Sequence, residues 1–336
     1  MSSAMSENRI SKTLYMLRMV AICTVVLAHS NCESVGNSID YYLLKRLACT
    51  GVFLFFFISG YYVRYKPWKE LMKGIVVSIV VPWLVWGTAN HVLGLILSGE
   101  SFSIVSYFLY IIGSGSMYYY CTMYVAIRII LNFLLRNCKS NKVFYLLILM
   151  TIITLVFSSN LTEAIKKVSA GTITAYLNIF SWIGIVAFGY IVKEKRLIER
   201  YSSLKWYIRI FVICTIGIII ITAGYWDCSY GYFGRISVFC EVSFSVILFE
   251  IITHINVKGL LGDFFNYIGK NTLFIYFVHY PLLSILQKNI LVNSSVFMII
   301  IRCFTCVFTI SALLYFVDVN IKNMRLLRTL FGLKIS

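Results

Sequence analysis

Residues 14–31, LYMLRMVAICTVVLAHSN, form an apolar run long enough to cross a bilayer, yet they carry an arginine and a histidine. Backbone polar groups in lipid must be satisfied within the segment, so such a run is a helix. Arg18 and His29 are eleven residues apart. At 100° per residue that separation is about 1100°, within about 20° of three full turns, so both project from one face, roughly 16 Å apart along the axis. Ionisable groups inside a span are costly and face a bundle interior or a water-filled cavity. Two on one stripe therefore point to a polar line running into a membrane protein. The plainer alternative has Arg18 snorkelling to one interface while His29 merely ends the helix at the other.

The rest of the chain is built in the same way. Of 336 residues, 60% are hydrophobic and 13% charged, against about 45–50% and about 25% in soluble domains; the mean hydropathy is +0.85. The expectation is an all-α, polytopic membrane helical bundle of about ten transmembrane helices with both termini cytoplasmic. The spans fall near 13–31, 47–63, 74–97, 118–135, 143–158, 173–192, 206–224, 236–254, 271–287 and 296–316. Residues 1–12 form a cytoplasmic segment, 13–316 the transmembrane domain, and 317–336 a basic cytoplasmic tail that reads as amphipathic on the inner surface. Residues 98–117, Ser- and Gly-rich around an apolar centre, read as a re-entrant or interfacial segment. The net charge of +17 does not signal nucleic acid. Lys and Arg gather in RYKPWKELMK (64–73), RNCKSNK (136–142) and KEKRLIER (193–200), between alternate spans, as the positive-inside rule requires. The first span lacks a small-residue cleavage site and leads into further spans, so it reads as an anchor, not a removed signal. Most of the ten cysteines lie in apolar runs, and Cys303 and Cys306 have no partner pair, so packing is expected rather than zinc or a disulfide framework.

Beyond Arg18 and His29, three features exceed generic membrane composition. Ser59-Gly60-Tyr61 interrupts an aromatic run, with close helix packing as its plainer reading. Glu241 and Glu250 are carboxylates inside an apolar span, and His254 follows Glu250 by one turn, near the span's end. His279 and Pro281 sit deep in another span, where a hydrogen-bonded structural histidine is the plainer reading. The sequence contains no GxSxG elbow, phosphate-binding glycine loop, dinucleotide fingerprint or HExxH, so hydrolase, nucleotide-driven and zinc-protease chemistries have no support. A histidine beside an intramembrane arginine points instead to proton transfer next to a charge that can hold an anion.

Four stretches resemble the integral-membrane acyltransferase-3 family, in that family's order. LRMVAICTVVLAH (17–29) is similar to its opening arginine, ten residues, then histidine. GVFLFFFISGYYV (51–63) resembles its aromatic run, FSWIGIVAFGYIV (180–192) its Phe/Gly span, and YIGKNTLFIYFVHYPLL (267–283) its late Tyr-x-x-His-x-Pro signature. Two departures stand out. Tyr15 occupies a position often held by Asp, and MYYYCTMYV (117–125) lacks the carboxylate many members carry there. The resemblance implies a cell-membrane acyltransferase with no bound cofactor. Its co-substrate would be acyl-CoA, usually acetyl-CoA, and its acceptor a hydroxyl of a cell-surface or lipid-linked glycan. Under it Arg18 would bind a CoA phosphate, and His29 would be either general base or transient acyl carrier, with Ser59, Tyr61, Glu241 and His279 as further substrate- or donor-binding positions. A transport, ligand-uptake or sensing module on the same scaffold is the non-enzymatic alternative.

Overall fold

Long runs of Leu, Ile, Val and Phe can hide their backbone polar groups only as helices, and a helix coincides with each expected span. The computed structural model describes residues 7–30, 39–137, 140–168, 174–226, 237–255, 259–290, 295–321 and 324–333. Residues 31–38 of the expected outer segment after span one and most of YWDCSYGYFGR (225–235) lie outside them, as do Cys138 and Cys228, whereas Asp40, Lys45 and Arg46 of that segment are helical rather than in a loop. In chain order the helices are α1 (Glu7–Ala28), α2 (Ile39–Tyr61), α3 (Trp68–Ile75), α4 (Val81–Ser98), α5 (Ile104–Ile112), α6 (Tyr119–Asn137), α7 (Ser140–Val168), α8 (Ile179–Glu194), α9 (Leu197–Ser202), α10 (Trp206–Trp226), α11 (Ser237–His254), α12 (Gly259–Lys270), α13 (Thr272–Ile285), α14 (Val296–Asn320) and α15 (Arg325–Leu330). The described residues contain no strand. Among the described residues, four segments are long and apolar enough to cross a membrane: Arg9–Ala28, Leu43–Tyr61, Trp68–Ser98 and Val296–Asn320.

The helix carrying Arg18 is the axle of the bundle. It packs against α2, α11, α12, α13 and α14, burying Leu14, Leu17, Ala21, Ile22, Val25 and Val26. α2 and α8 run parallel, with Phe56 on Trp182 (4.8 Å between ring centroids) and Lys193 over the Tyr61 ring (5.6 Å). Their crossing explains Gly60. A Cβ there would stand 2.0 Å from the Val186 carbonyl oxygen, and one at Gly189 the same distance from that of Phe57, so only glycine lets these backbones approach.

Several boundaries differ from the sequence expectation, among them the start of α2 at Ile39 rather than 47 and of α8 at Ile179 rather than 173. α1 starts at Glu7 rather than 13, because Arg9 donates to the Thr253 carbonyl (3.1 Å) and so fastens the first turn. α7 continues through Glu163, Lys166 and Lys167, expected in a loop; Glu163 and Lys167 pair at 3.0 Å one turn apart. The basic tail does not simply lie on a surface. Trp86 Nε1 donates to the Leu330 carbonyl (2.8 Å), Phe331 packs on Trp86 and Phe274, and Leu333 is buried. Residues 104–112 form the short helix α5, too short to span, held by Trp83 Nε1 donating to the Ile111 carbonyl (3.1 Å).

Two prolines bend the helices around the centre. Before Pro82 the backbone widens into a π turn, Val76–Val80, which absorbs the missing N–H and the ring's clash with the preceding turn. Pro281 lies inside α13 and cannot donate to the carbonyl of Phe277, four residues earlier. Asn90 takes over that role: its Nδ2 donates to the Phe277 carbonyl (2.6 Å) and to the Tyr118 hydroxyl (2.7 Å). Asn90→Leu should destabilise the protein by about 1–3 kcal/mol, the cost of orphaning a buried carbonyl. Pro281→Ala restores a backbone donor to that carbonyl, so the penalty should shrink when both changes are made. Thermal midpoints in detergent for the four variants of this cycle check it, and equal penalties in both backgrounds would refute the account.

Candidate active site

Close backbone contact between α1 and α12 creates the site. A Cβ at Gly269 would stand 2.0 Å from the Tyr15 carbonyl oxygen, so the α12–α13 junction lies directly on the first half of α1. This brings Thr272 within reach of Arg18, whose Nη2 donates to the threonine Oγ1 at 3.1 Å. It also sets Lys270 over the Tyr15 ring at 5.6 Å. Arg18 is half-buried and faces a gap between helices.

That gap is a cavity of about 920 Å³, at the upper end of the range for small-molecule sites. Among the described residues, four cations line it, Arg18, Lys73, Arg128 and Lys270, with Glu70 as the sole carboxylate on its wall. Among the described residues none of the four cations is in a salt bridge. Lys73 and Lys270 are exposed, whereas Arg18 and Arg128 are half-buried, so positive charge runs inward from the mouth. Ser59 and Tyr62 form one flank and Gly332 with Leu333 of the tail another. Such a chamber attracts polyanions, and guanidinium groups suit phosphate better than ammonium groups do.

The deep wall is aromatic, formed by Tyr120 and Tyr276, whose rings meet at 5.6 Å. Tyr276 donates its hydroxyl to the Met117 carbonyl and lies one turn before His279, 6.0 Å between ring centroids. His279 is wholly buried, with Nδ1 2.7 Å from the Tyr276 carbonyl. His29 follows at 5.3 Å from His279, and Tyr280 stands edge-on to His29 at 6.0 Å. His29 sits in the turn just beyond α1, its own carbonyl accepting from Gln287 Nε2 (3.0 Å). The cavity thus contains Arg18 but neither histidine on its wall; the imidazole pair lies behind Tyr276.

The remaining residues singled out in the sequence lie elsewhere. Of Ser59-Gly60-Tyr61, only Ser59 reaches the cavity; Tyr61 is buried beneath Lys193. Glu241 is buried in α11 with the buried Arg46 as its neighbouring cation. Glu250 pairs with Arg209 and with His254 (3.0 Å), a separate cluster joining α10 to α11. Sequence reasoning passed over Lys73, Arg128, Lys270, Thr272 and Tyr276. Arg128 carried a usable signal, since it too is a charge inside an apolar span; Thr272 carried none.

No curated protein and no solved structure matches the chain. Residues 13–317 match the acyltransferase-3 family, described as an acyltransferase domain. This covers nearly the whole chain, including both histidines of the pair and all four cavity cations. The chain therefore belongs to the acyltransferase-3 family and is a membrane acyltransferase.

Proposed function

We propose that the protein moves an acyl group, acetyl in the first instance, from acyl-CoA to a hydroxyl of a cell-surface or lipid-linked glycan. The observation that carries this reading is the cationic cavity leading inward to Tyr276, with an imidazole pair immediately behind it. In the proposed topology all ten spans cross the cell membrane and both termini are cytoplasmic, so the cavity mouth opens to the cytoplasmic pool of CoA thioesters. The pyrophosphate and 3′-phosphate of CoA would rest among Arg18, Lys73, Arg128 and Lys270, with Ser59 on the flank. The pantetheine arm would extend past Tyr120 and Tyr276, along the roughly 16 Å that separate positions 18 and 29 on a helical rise.

At the inner end one ring nitrogen of His29 takes the proton of the acceptor hydroxyl. The oxygen attacks the thioester carbonyl, the C–S bond breaks, and the thiolate leaves with the proton returned by the imidazolium. The products are the O-acyl ester and free CoA. Isolated membranes containing the protein should transfer labelled acetyl from acetyl-CoA to alkali-labile ester linkage on glycan. Intact protein that labels no membrane glycan or glycolipid would overturn the reading in favour of a transport or sensing role.

A further inference from the structure

We propose that His279 is the positioning residue for His29: it accepts a hydrogen bond from one ring nitrogen of His29 and so fixes the other as the basic nitrogen. This rests on the reading of His29 as general base. A carbonyl oxygen can only accept, so the 2.7 Å contact with Tyr276 places the ring proton of His279 on Nδ1. Nε2 is consequently a bare lone pair. It is buried and has no hydrogen-bond partner among the described residues. A naked acceptor inside an apolar helix costs free energy and calls for an explanation.

His29 supplies one, because its ring stands 5.3 Å away between centroids, tilted by 41°. A small turn of that ring brings a nitrogen within reach of Nε2, and catalytic hydrogen bonds that are long without substrate tighten when it binds.

The two histidines also differ in freedom in the way this role requires. His279 is held on three sides. Its Nδ1 is tied to Tyr276, its carbonyl accepts from Cys306 Sγ (3.6 Å), and the kinked helix beneath it is pinned by Asn90 at Phe277. His29 lies past the end of α1 with only its main chain tied down, by Gln287 and by Val26. A fixed acceptor beside an adjustable imidazole is the arrangement by which an orienting group sets a base's tautomer and steadies its charged form. In the step itself, His29 keeps its N–H toward His279 throughout. Its second nitrogen takes the hydroxyl proton as the new C–O bond forms, then gives it to the sulfur as the C–S bond breaks.

The test compares His279→Gln, which can both donate to Tyr276 and accept from His29, with His279→Phe, which fills the space and does neither. In detergent-purified enzyme, His279→Phe should lower kcat by about 10–100-fold, the worth of one hydrogen bond to a charged group. KM for donor and acceptor should stay within about twofold, and His279→Gln should recover most of the loss. In a His29→Ala background, His279→Phe should cost nothing further. If His279→Phe does not accumulate, His279→Met replaces it with the same expectation. Equal losses in the Gln and Phe variants, a change confined to KM, or an unimpaired His279→Phe overturns the positioning role. A fully active His29→Ala enzyme would instead sink the reading of His29 as base.

Discussion

His29→Ala is expected to reduce acyl transfer by about 10²–10⁴-fold, the usual contribution of a positioned general base, while the protein reaches the membrane in normal amount. The two parts of this expectation have separate physical grounds. Position 29 lies beyond the last turn of α1, and the bonds that hold it there run through its backbone, from Gln287 to its carbonyl and from its N–H to Val26. Alanine keeps both. The lost ring contacts, with His279 and Tyr280, are edge and tilted approaches at 5.3 and 6.0 Å, so packing suffers little. What disappears is the one half-buried imidazole that a hydroxyl could meet, since His279 is wholly enclosed. Labelled-acetyl transfer in membranes, normalised to protein amount by immunoblot, measures both parts. Product near the normal level would remove His29 from the chemistry. Acid-quenched wild-type enzyme given donor alone separates base from carrier, because only a carrier leaves label on the protein.

The position of Arg18 could be inferred from sequence, because a charge inside an apolar run must turn toward something polar. The other walls could not. Thr272 and Lys270 come from the far end of the chain, and only the glycine-sized gap at Gly269 against Tyr15 brings them together. The shared face of Arg18 and His29 assumed one unbroken helix, whereas α1 stops at Ala28; His29 is turned toward α13 and leaves the cavity to Arg18.

The tripeptide at 59–61 shows why a contiguous motif misleads on a helix. Successive residues are 100° apart, so Ser59 faces the cavity, Gly60 the α8 backbone and Tyr61 the Lys193 side, and only one of the three can belong to the site. Of the two readings of that motif, close packing holds for Gly60, while Ser59 lines the cavity. Pro281 announced a break in α13, but its partner Asn90 lies nearly two hundred residues earlier and has no local signature.

Arg18→Ala should raise KM for acetyl-CoA by about 10–100-fold and change kcat far less. A guanidinium holding a phosphate forms charge-assisted hydrogen bonds, each worth roughly 1.5–3 kcal/mol, and that binding is present in ground state and transition state alike, so its loss appears in KM. Arg18→Lys should recover only part of the affinity, since an ammonium supplies charge without the paired N–H geometry. The decisive comparison uses acetyl-pantetheine, a donor without the nucleotide phosphates. If Arg18 acts on phosphate, the truncated donor already lacks that contact, and Arg18→Ala should cost it almost nothing; the difference between the two donors is the coupling energy of the pair. Thr272→Val removes the acceptor that orients Arg18 and should show the same donor dependence at smaller size. A defect of equal size with both donors, or one confined to the acceptor's KM, would take Arg18 out of phosphate binding and leave the cavity's charge to Lys73, Arg128 and Lys270.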